Sequence, residues 1–263
     1  MSTPTVLVTG AAGGIGRAIA RSAASRRWNV AALDIDGDGA EQTALLAREA
    51  GSPRAIGIAC DVTDARSVEE AFARTTESVG LAQGVVANAG VEINAPLEEL
   101  TDQQWERVIA VNLTGTFLTV RHGIRMLRQH DRPGSVVCTS SPSAFVGFAG
   151  GDNAAYGASK GGISAFIRSV AIDYARFGIR VNALVPGATD TPLLLAGLTG
   201  EARTARAKEI EADAADQIPM GRLARTDEIA AAALWLLSEE SSYVTGSNLV
   251  CDGGLLAKSA NTF

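Results

Sequence analysis

The sequence predicts an α/β fold in which a doubly wound, seven-stranded parallel sheet lies between two layers of helices, a three-layer αβα sandwich. Three observations carry this expectation. Short apolar runs of β type alternate with longer segments of helical period along the whole chain, as parallel strands joined by crossover helices require. A glycine-rich turn joins the first strand to the first helix. Polar residues gather just past the carboxyl ends of the strands, where open α/β sheets bind ligands.

Thr5–Thr9 reads as the first strand, and the helix after its glycine turn reaches Arg26 with Ile15, Ala18, Ile19 and Ala23 on its apolar side. Residues 29–33 form the second strand, ending at Asp34, and residues 38–50 a helix. The third strand, 54–60, ends in Asp61-Val62, and a helix over 64–79 leads to the fourth, Gly84–Ala87, which ends in Asn88-Ala89-Gly90. Thr101 precedes a helix carrying Trp105, Val108, Ile109 and Leu113 and expected to run on to Arg128. Gly134–Thr139 is the fifth strand, ending at Ser140-Ser141. The next helix holds Tyr156 and Lys160, takes Ile163, Phe166, Val170 and Ile172 as its apolar face, and should stop near Gly178. A sixth strand over 179–185 closes with Pro186-Gly187. Residues 191–218 read as one polar helix placed where a substrate lid could sit, 227–237 as an amphipathic helix, and 247–251 as the seventh strand. No linker or repeat interrupts the pattern, so residues 1–263 are expected to form one domain.

Composition narrows the function classes. A net charge of −6 and no basic patch argue against a nucleic-acid or anionic-membrane partner. The start at Met1 to Pro4 lacks the basic and apolar regions of a secretory signal, and no apolar run approaches the roughly 20 residues of a membrane span, so a cytoplasmic location is expected. Cys60, Cys138 and Cys251 stand far apart at the ends of apolar stretches and read as buried, reduced thiols. With only His122 and His130 in the chain, neither a histidine triad nor a metal centre is expected.

The chemistry-bearing residues fall into two groups. Thr9-Gly10-Ala11-Ala12-Gly13-Gly14-Ile15-Gly16 can bring the backbone and the N–H groups at a helix start close to a pyrophosphate. Asp34, eighteen residues past Gly16, is placed to accept from both adenosine ribose hydroxyls. A carboxylate there repels the 2′-phosphate of NADP, no arginine or lysine follows in Ile35-Asp36-Gly37-Asp38, and Gly13 brings no basic side chain, so NAD is the expected cofactor. Tyr156 and Lys160 are four apart, hence on one helical face, where the ammonium is expected to favour phenolate and lower the phenol's pKa. Tyr156 can then exchange a proton with an alcohol or carbonyl.

Taken in order, the Thr9–Gly16 loop, Asn88-Ala89-Gly90, Asn112, Ser140-Ser141, Tyr156 with Lys160, and Pro186-Gly187 with Thr191 resemble the short-chain dehydrogenase/reductase family over nearly the whole chain. The resemblance implies a Rossmann-type domain and an NAD(P)-dependent reaction between an alcohol and a carbonyl. It makes Tyr156 the general acid/base and Lys160 its partner, which also binds the nicotinamide ribose. It makes Asn112 the residue that orders a relay water. Gly10, Gly13, Gly14, Ile15, Gly16, Asp34 and Ile35 would hold the cofactor, with Asp61 and Val62 beside its adenine. Asn88, Ala89 and Gly90 would line its path, and Pro186, Gly187, Thr189 and Thr191 would meet its far end. A homotetramer or homodimer is likewise implied.

One serine departs from the family pattern. The serine that orients the substrate oxygen usually precedes the tyrosine by about thirteen residues, which points to Ser143. A loop over 147–153 that is about two residues longer restores Ser141, fifteen residues before Tyr156 and at a strand end that fixes its direction. Ser141 is preferred and Ser143 remains the rival.

The sequence therefore points to an NAD-dependent enzyme interconverting a secondary alcohol, such as a sugar, cyclic polyol or similar small alcohol, and its ketone. A 3-oxoacyl thioester reductase is the runner-up, and a non-catalytic NAD(H) sensor is disfavoured by the complete Asn112, Ser141, Tyr156 and Lys160 set. Residues 91–96, 145–153 and 193–215 are expected to wall the substrate site. Among them Glu92, Asn94 and Asp152 either grip hydroxyls or face solvent.

Overall fold

A computed structural model describes residues 3–148, 151–195 and 199–258. Its sheet contains β1 (Thr5–Thr9), β2 (Asn29–Asp34), β3 (Ala55–Ala59), β4 (Gly84–Ala87), β5 (Gly134–Thr139), β6 (Ile179–Pro186) and β7 (Asn248–Cys251). All pairings are parallel, in the order β3-β2-β1-β4-β5-β6-β7. Strand order reverses between β1 and β4, and the carboxyl ends of those strands open a crevice. This is the seven-stranded Rossmann-type α/β fold that the alternating pattern predicts.

Successive side chains of a strand point to opposite faces, and β1 shows the result. Leu7 joins a core with Leu33, Ile58, Val85, Leu127, Ile163 and Ile167, under α3 (Ala65–Val79), α5 (Gly115–Gln129) and α6 (Ala154–Tyr174). Val6 and Val8 join the other core, with Ile19, Ile229 and Leu234 of α1 (Gly14–Ser25) and α8 (Thr226–Leu237). Fully burying one such Leu or Ile side chain contributes about 1.5–3 kcal/mol. Helix starts are set locally: Asp36 accepts from Gly39 N at 3.0 Å ahead of α2 (Gly37–Glu49), and Asp64 from Arg66 N at 2.9 Å ahead of α3.

The structure departs from the expectations at four places. The helix after Thr101 does not run unbroken. It is α4 (Asp102–Ile109), a π turn over Ala110–Thr114, then α5, and the inserted residue lets Asn112 turn inward. The polar stretch after Thr191 is a short 3-10 turn over Pro192–Leu195 followed by α7 (Gly200–Gln217); residues 196–198 of the expected lid lie outside the described residues. Helix α7 restarts at Gly200, whose φ of +57° would strain a longer side chain. Cys251 is only half-buried, because β7 is an edge strand, with no strand beyond it among the described residues. Ile172, placed on the apolar face of α6, is instead 79% exposed.

Candidate active site

The crevice between β1 and β4 is riveted by one side chain. The buried Thr9 hydroxyl donates to Val86 O at 3.3 Å and accepts from the Asn88 and Ala89 amides at 3.0 and 3.2 Å. Asn88 returns across the gap, donating to the carbonyls of Thr9 and Gly10 at 3.1 and 3.2 Å. Gly10 has φ +66°, and a Cβ there would stand 2.7 Å from Ala89 Cα, so both conformation and space demand glycine. The loop then runs into α1, whose first-turn N–H groups make a ready anion site. Gly13 precedes that helix in extended conformation, and a Cβ on it would meet nothing within 4 Å. Thr191 lies over the same helix start, its methyl 3.4 Å from where a Cβ of Gly14 would be. The Asp34 carboxylate is held at the crevice by Ala12 N at 2.9 Å and Asp36 N at 3.0 Å.

The opposite wall is the start of α6 packed on the end of β5. The Ser140 hydroxyl donates to Lys160 O at 3.1 Å and pairs with Ser164 Oγ at 2.9 Å. Lys160 is 3% exposed, and its ammonium donates to Thr139 O at 2.8 Å. Burial brings that ammonium down to about 8. Tyr156 shares a hydrogen bond with Ser141, yet burial and the neighbouring Glu92 carboxylate push its phenol well above the ordinary range. This corrects the expectation of a phenol lowered by Lys160: the Lys160 Nζ lies 5.4 Å from the ring centre and turns to Thr139 O instead. Ser141 and Ser143 both reach the site. Their hydroxyls are 3.3 Å apart, and Ser143 N donates to Ser141 Oγ at 3.2 Å.

Both walls border one cleft of about 710 Å³. Gly10, Gly13, Gly14, Ile15, Asp34, Asn88, Gly90, Ser141, Tyr156, Lys160, Pro186, Gly187, Thr189 and Thr191 all line it. Six expected residues do not, each for a visible reason. Gly16 packs against Gly10 O, and Ala89 against Gly10. Ile35 is 63% exposed beyond the strand end. The Asp61 carboxylate accepts from Thr63 N at 2.9 Å and Thr63 Oγ1 at 2.7 Å, bonds that hold it below the usual carboxylate range. Val62 lies against the backbone face of Gly115. The fully buried Asn112 pairs with Val91 through both amide atoms, at 2.8 and 2.9 Å, and donates to Ser159 Oγ at 3.1 Å, so its side chain clamps the loop after β4 to α6.

Thr9 and Asn153 were expected only as members of the glycine loop and of the 145–153 wall, without the contacts they make, and Arg17 escaped the sequence reading altogether. Thr9 closes the crevice. Arg17 holds the glycine loop from behind, donating to Ala12 O and, at 3.0 Å, to Thr43 Oγ1; its place one turn after Gly13 was the available signal. Asn153 donates to Ser143 Oγ at 3.4 Å, a contact between loops that no spacing announces. Of the cysteines, burial pushes Cys60 to about 11 and Cys138 to about 12, which leaves both as unreactive thiols.

A profile described as "Enoyl-(Acyl carrier protein) reductase" matches residues 10–256. The chain is 42% identical over 252 residues to a cis-4-hydroxycyclohexanecarboxylate dehydrogenase of Sinomonas cyclohexanicum, covering 95% of this chain and 96% of that one. It belongs to the short-chain dehydrogenase/reductase family. A D-threitol dehydrogenase of Mycolicibacterium smegmatis is 39% identical over 96% of this chain and 92% of its own. A solved 3-oxoacyl-[acyl-carrier protein] reductase with bound NAD from Brucella melitensis superposes with a TM-score of 0.85 at 35% identity, over 96% of this chain and 90% of that one. The protein is thus a family oxidoreductase acting on CH–OH groups.

Members of this family use a nicotinamide cofactor, and the residues present fit one. The helix start beneath open Gly13 suits a pyrophosphate and Asp34 a ribose diol. Lys160, a buried ammonium with three donors, has Thr139 O as its one hydrogen-bond acceptor among the described residues, which leaves donors for a second ribose. Among the described residues no helix is long and apolar enough to cross a membrane.

Proposed function

We propose that this short-chain dehydrogenase/reductase oxidises a secondary alcohol, a sugar, cyclic polyol or similar small alcohol, to its ketone with NAD. The observation that carries the reading is Tyr156 hydrogen-bonded to Ser141 on the wall of the cleft that Asp34 and the glycine loop also line. Held by the glycine loop, Asp34 and Lys160, a nicotinamide would supply the hydride acceptor. Tyr156 takes the hydroxyl proton of the substrate, and Ser141, anchored at the end of β5, holds the same oxygen. Its direct bond to Tyr156 favours Ser141 over Ser143 for that role. Lys160 supplies buried positive charge one turn away and binds the nicotinamide ribose, while Asn112 fixes the wall that carries both. NAD is preferred because Asp34 borders the cleft and Lys160 is the one cation lining it among the described residues. Tyr156→Phe should abolish NADH formation over a panel of alcohols while NADH binding, followed by fluorescence, persists. A substantial residual rate would refute the acid/base assignment.

A 3-oxoacyl thioester reductase is the second reading, favoured by the Brucella melitensis structure. Because that protein holds NAD, cofactor choice does not separate the two readings; turnover of a 3-oxoacyl thioester against a panel of ketones does. We further infer one catalytic domain, with the 3-10 turn and α7 as a lid over the substrate, and a homo-oligomer in the cytoplasm. The exposed apolar side chains Trp105 and Phe117, with Ile172 on α6, support the oligomer, which sedimentation would test.

A further inference from the structure

Glu92 is a carboxylate on the cleft wall to which the chemistry above gives no task. It follows the Asn88-Ala89-Gly90 strand end, is partly buried, and borders the cleft beside Tyr156, Ser143 and Asn153. Asn94 and Asn153 hydrogen-bond its side chain. Asn153 comes from the loop before α6, and two features fix that loop against the Glu92 segment. Ala95 N donates to Asp152 O at 2.8 Å, and Asp152 turns the chain with a left-handed φ of +44°, which aspartate adopts more readily than most non-glycine residues. Asn153 also donates to Ser143 Oγ, so a continuous polar strip runs from Glu92 through Asn153 and Ser143 to Ser141.

An ionised carboxylate accepts about four hydrogen bonds, and two amides do not fill it. Glu92 forms no salt bridge within the described residues. Lys160 draws it electrostatically but donates to Thr139 O. The acceptors left over face the cleft. Asp152, the other acidic candidate nearby, is exposed and its backbone does the pairing, so it is not part of the strip.

We propose that Glu92, oriented by Asn94 and Asn153, binds a second hydroxyl of the substrate, so that the protein selects uncharged polyhydroxy alcohols and rejects hydroxy acids. The inference rests on the alcohol-oxidation reading above and sharpens it. A carboxylate accepts well from a hydroxyl and repels another carboxylate. The cleft offers Asp34, Glu92 and Asp213 against Lys160 alone, leaving no free cation among the described residues to hold an anionic substrate. The preference would therefore differ from the substrate named for the 42% identical relative, a hydroxy carboxylate.

The test compares kcat/KM for cyclohexane-1,2-diol and -1,4-diol, cyclohexanol, and 4-hydroxycyclohexanecarboxylate, in the unmodified enzyme, Glu92→Ala and Glu92→Gln, each checked by thermal melting and NADH fluorescence. The unmodified enzyme should favour a diol over cyclohexanol by roughly tenfold to a hundredfold, the span of a hydrogen bond to a charged group. Glu92→Ala should bring that ratio close to one. Glu92→Gln should keep part of it and raise turnover of the hydroxy acid. The ratio cancels any change in Tyr156 ionisation, which acts on all substrates alike. An unchanged diol preference in both folded variants, or a hydroxy acid preferred by the unmodified enzyme, would overturn the Glu92 proposal alone. No turnover of any alcohol would sink the functional reading instead.

Discussion

On the wall made by β1, β2 and α1, most groups that face the cleft are backbone: the N–H groups at the start of α1, the open path over Gly13, the tight turn at Gly10. On the wall made by α6 and the loops after β4 and β5, side chains converge from distant segments, with Ser141, Ser143, Glu92, Asn153 and Tyr156 meeting within one cleft. The first wall suits a shape common to every dinucleotide. The second is a set of replaceable side chains, which suits it to choosing a substrate. Cofactor use should thus respond to space and charge at few positions, and substrate use to single polar groups.

The largest expected effect lies on the side-chain wall. Ser141→Ala should lower kcat about a hundredfold, the usual cost of removing one donor to a reacting oxygen, while Ser143→Ala costs only a few-fold. The opposite order, measured with the same alcohol, would make Ser143 the orienting group. On the backbone wall, Gly10→Ala should destabilise the protein by about 1–3 kcal/mol, read as a lower melting temperature, because alanine at φ +66° is strained and also meets Ala89. Gly13→Arg should be tolerated, and combined with Asp34→Ser it should shift the NADP-to-NAD ratio of kcat/KM by about tenfold or more toward NADP. A melting temperature lowered as much by Gly13→Arg as by Gly10→Ala would break the contrast drawn between these glycines.

The smallest effect is on pH dependence. The proposed oxidation needs Tyr156 deprotonated, and burial with Glu92 raises the pH at which that occurs, so kcat/KM for oxidation should climb as pH rises above neutral. Glu92→Gln removes one upward push, and the rising limb should move toward lower pH. A limb moving the other way would show that Glu92 does not face the phenol.

The contrast between the walls also explains what the sequence revealed. Glycine spacing, the Asp34 strand end and the Tyr156–Lys160 interval are local signals, each fixed by strand or helix geometry over few residues. The strands were legible for the same reason, the apolar runs of β1, β2, β4, β5 and β6 being buried almost throughout. The π turn at Asn112 was not, because an inserted residue leaves the apolar period nearly intact on either side. Nor was the raised phenol of Tyr156, since its burial and the Glu92 carboxylate beside it bring together segments far apart in the chain. Asn153 touching Ser143, and Asp152 holding Ala95, are meetings between loops that no period encodes.

The buried amide of Asn112 has a mechanical side. It grips Val91, next to Glu92, and it grips Ser159, whose hydroxyl donates to Tyr156 O at 2.7 Å. Four residues in contact thus connect the segment proposed to meet the far end of a substrate to the backbone of the residue proposed to meet its reacting end. A substrate of the wrong length cannot be accommodated by sliding one of these against the other. On that proposal the spacing between grip and chemistry would work as a gauge, set inside the protein before any molecule enters.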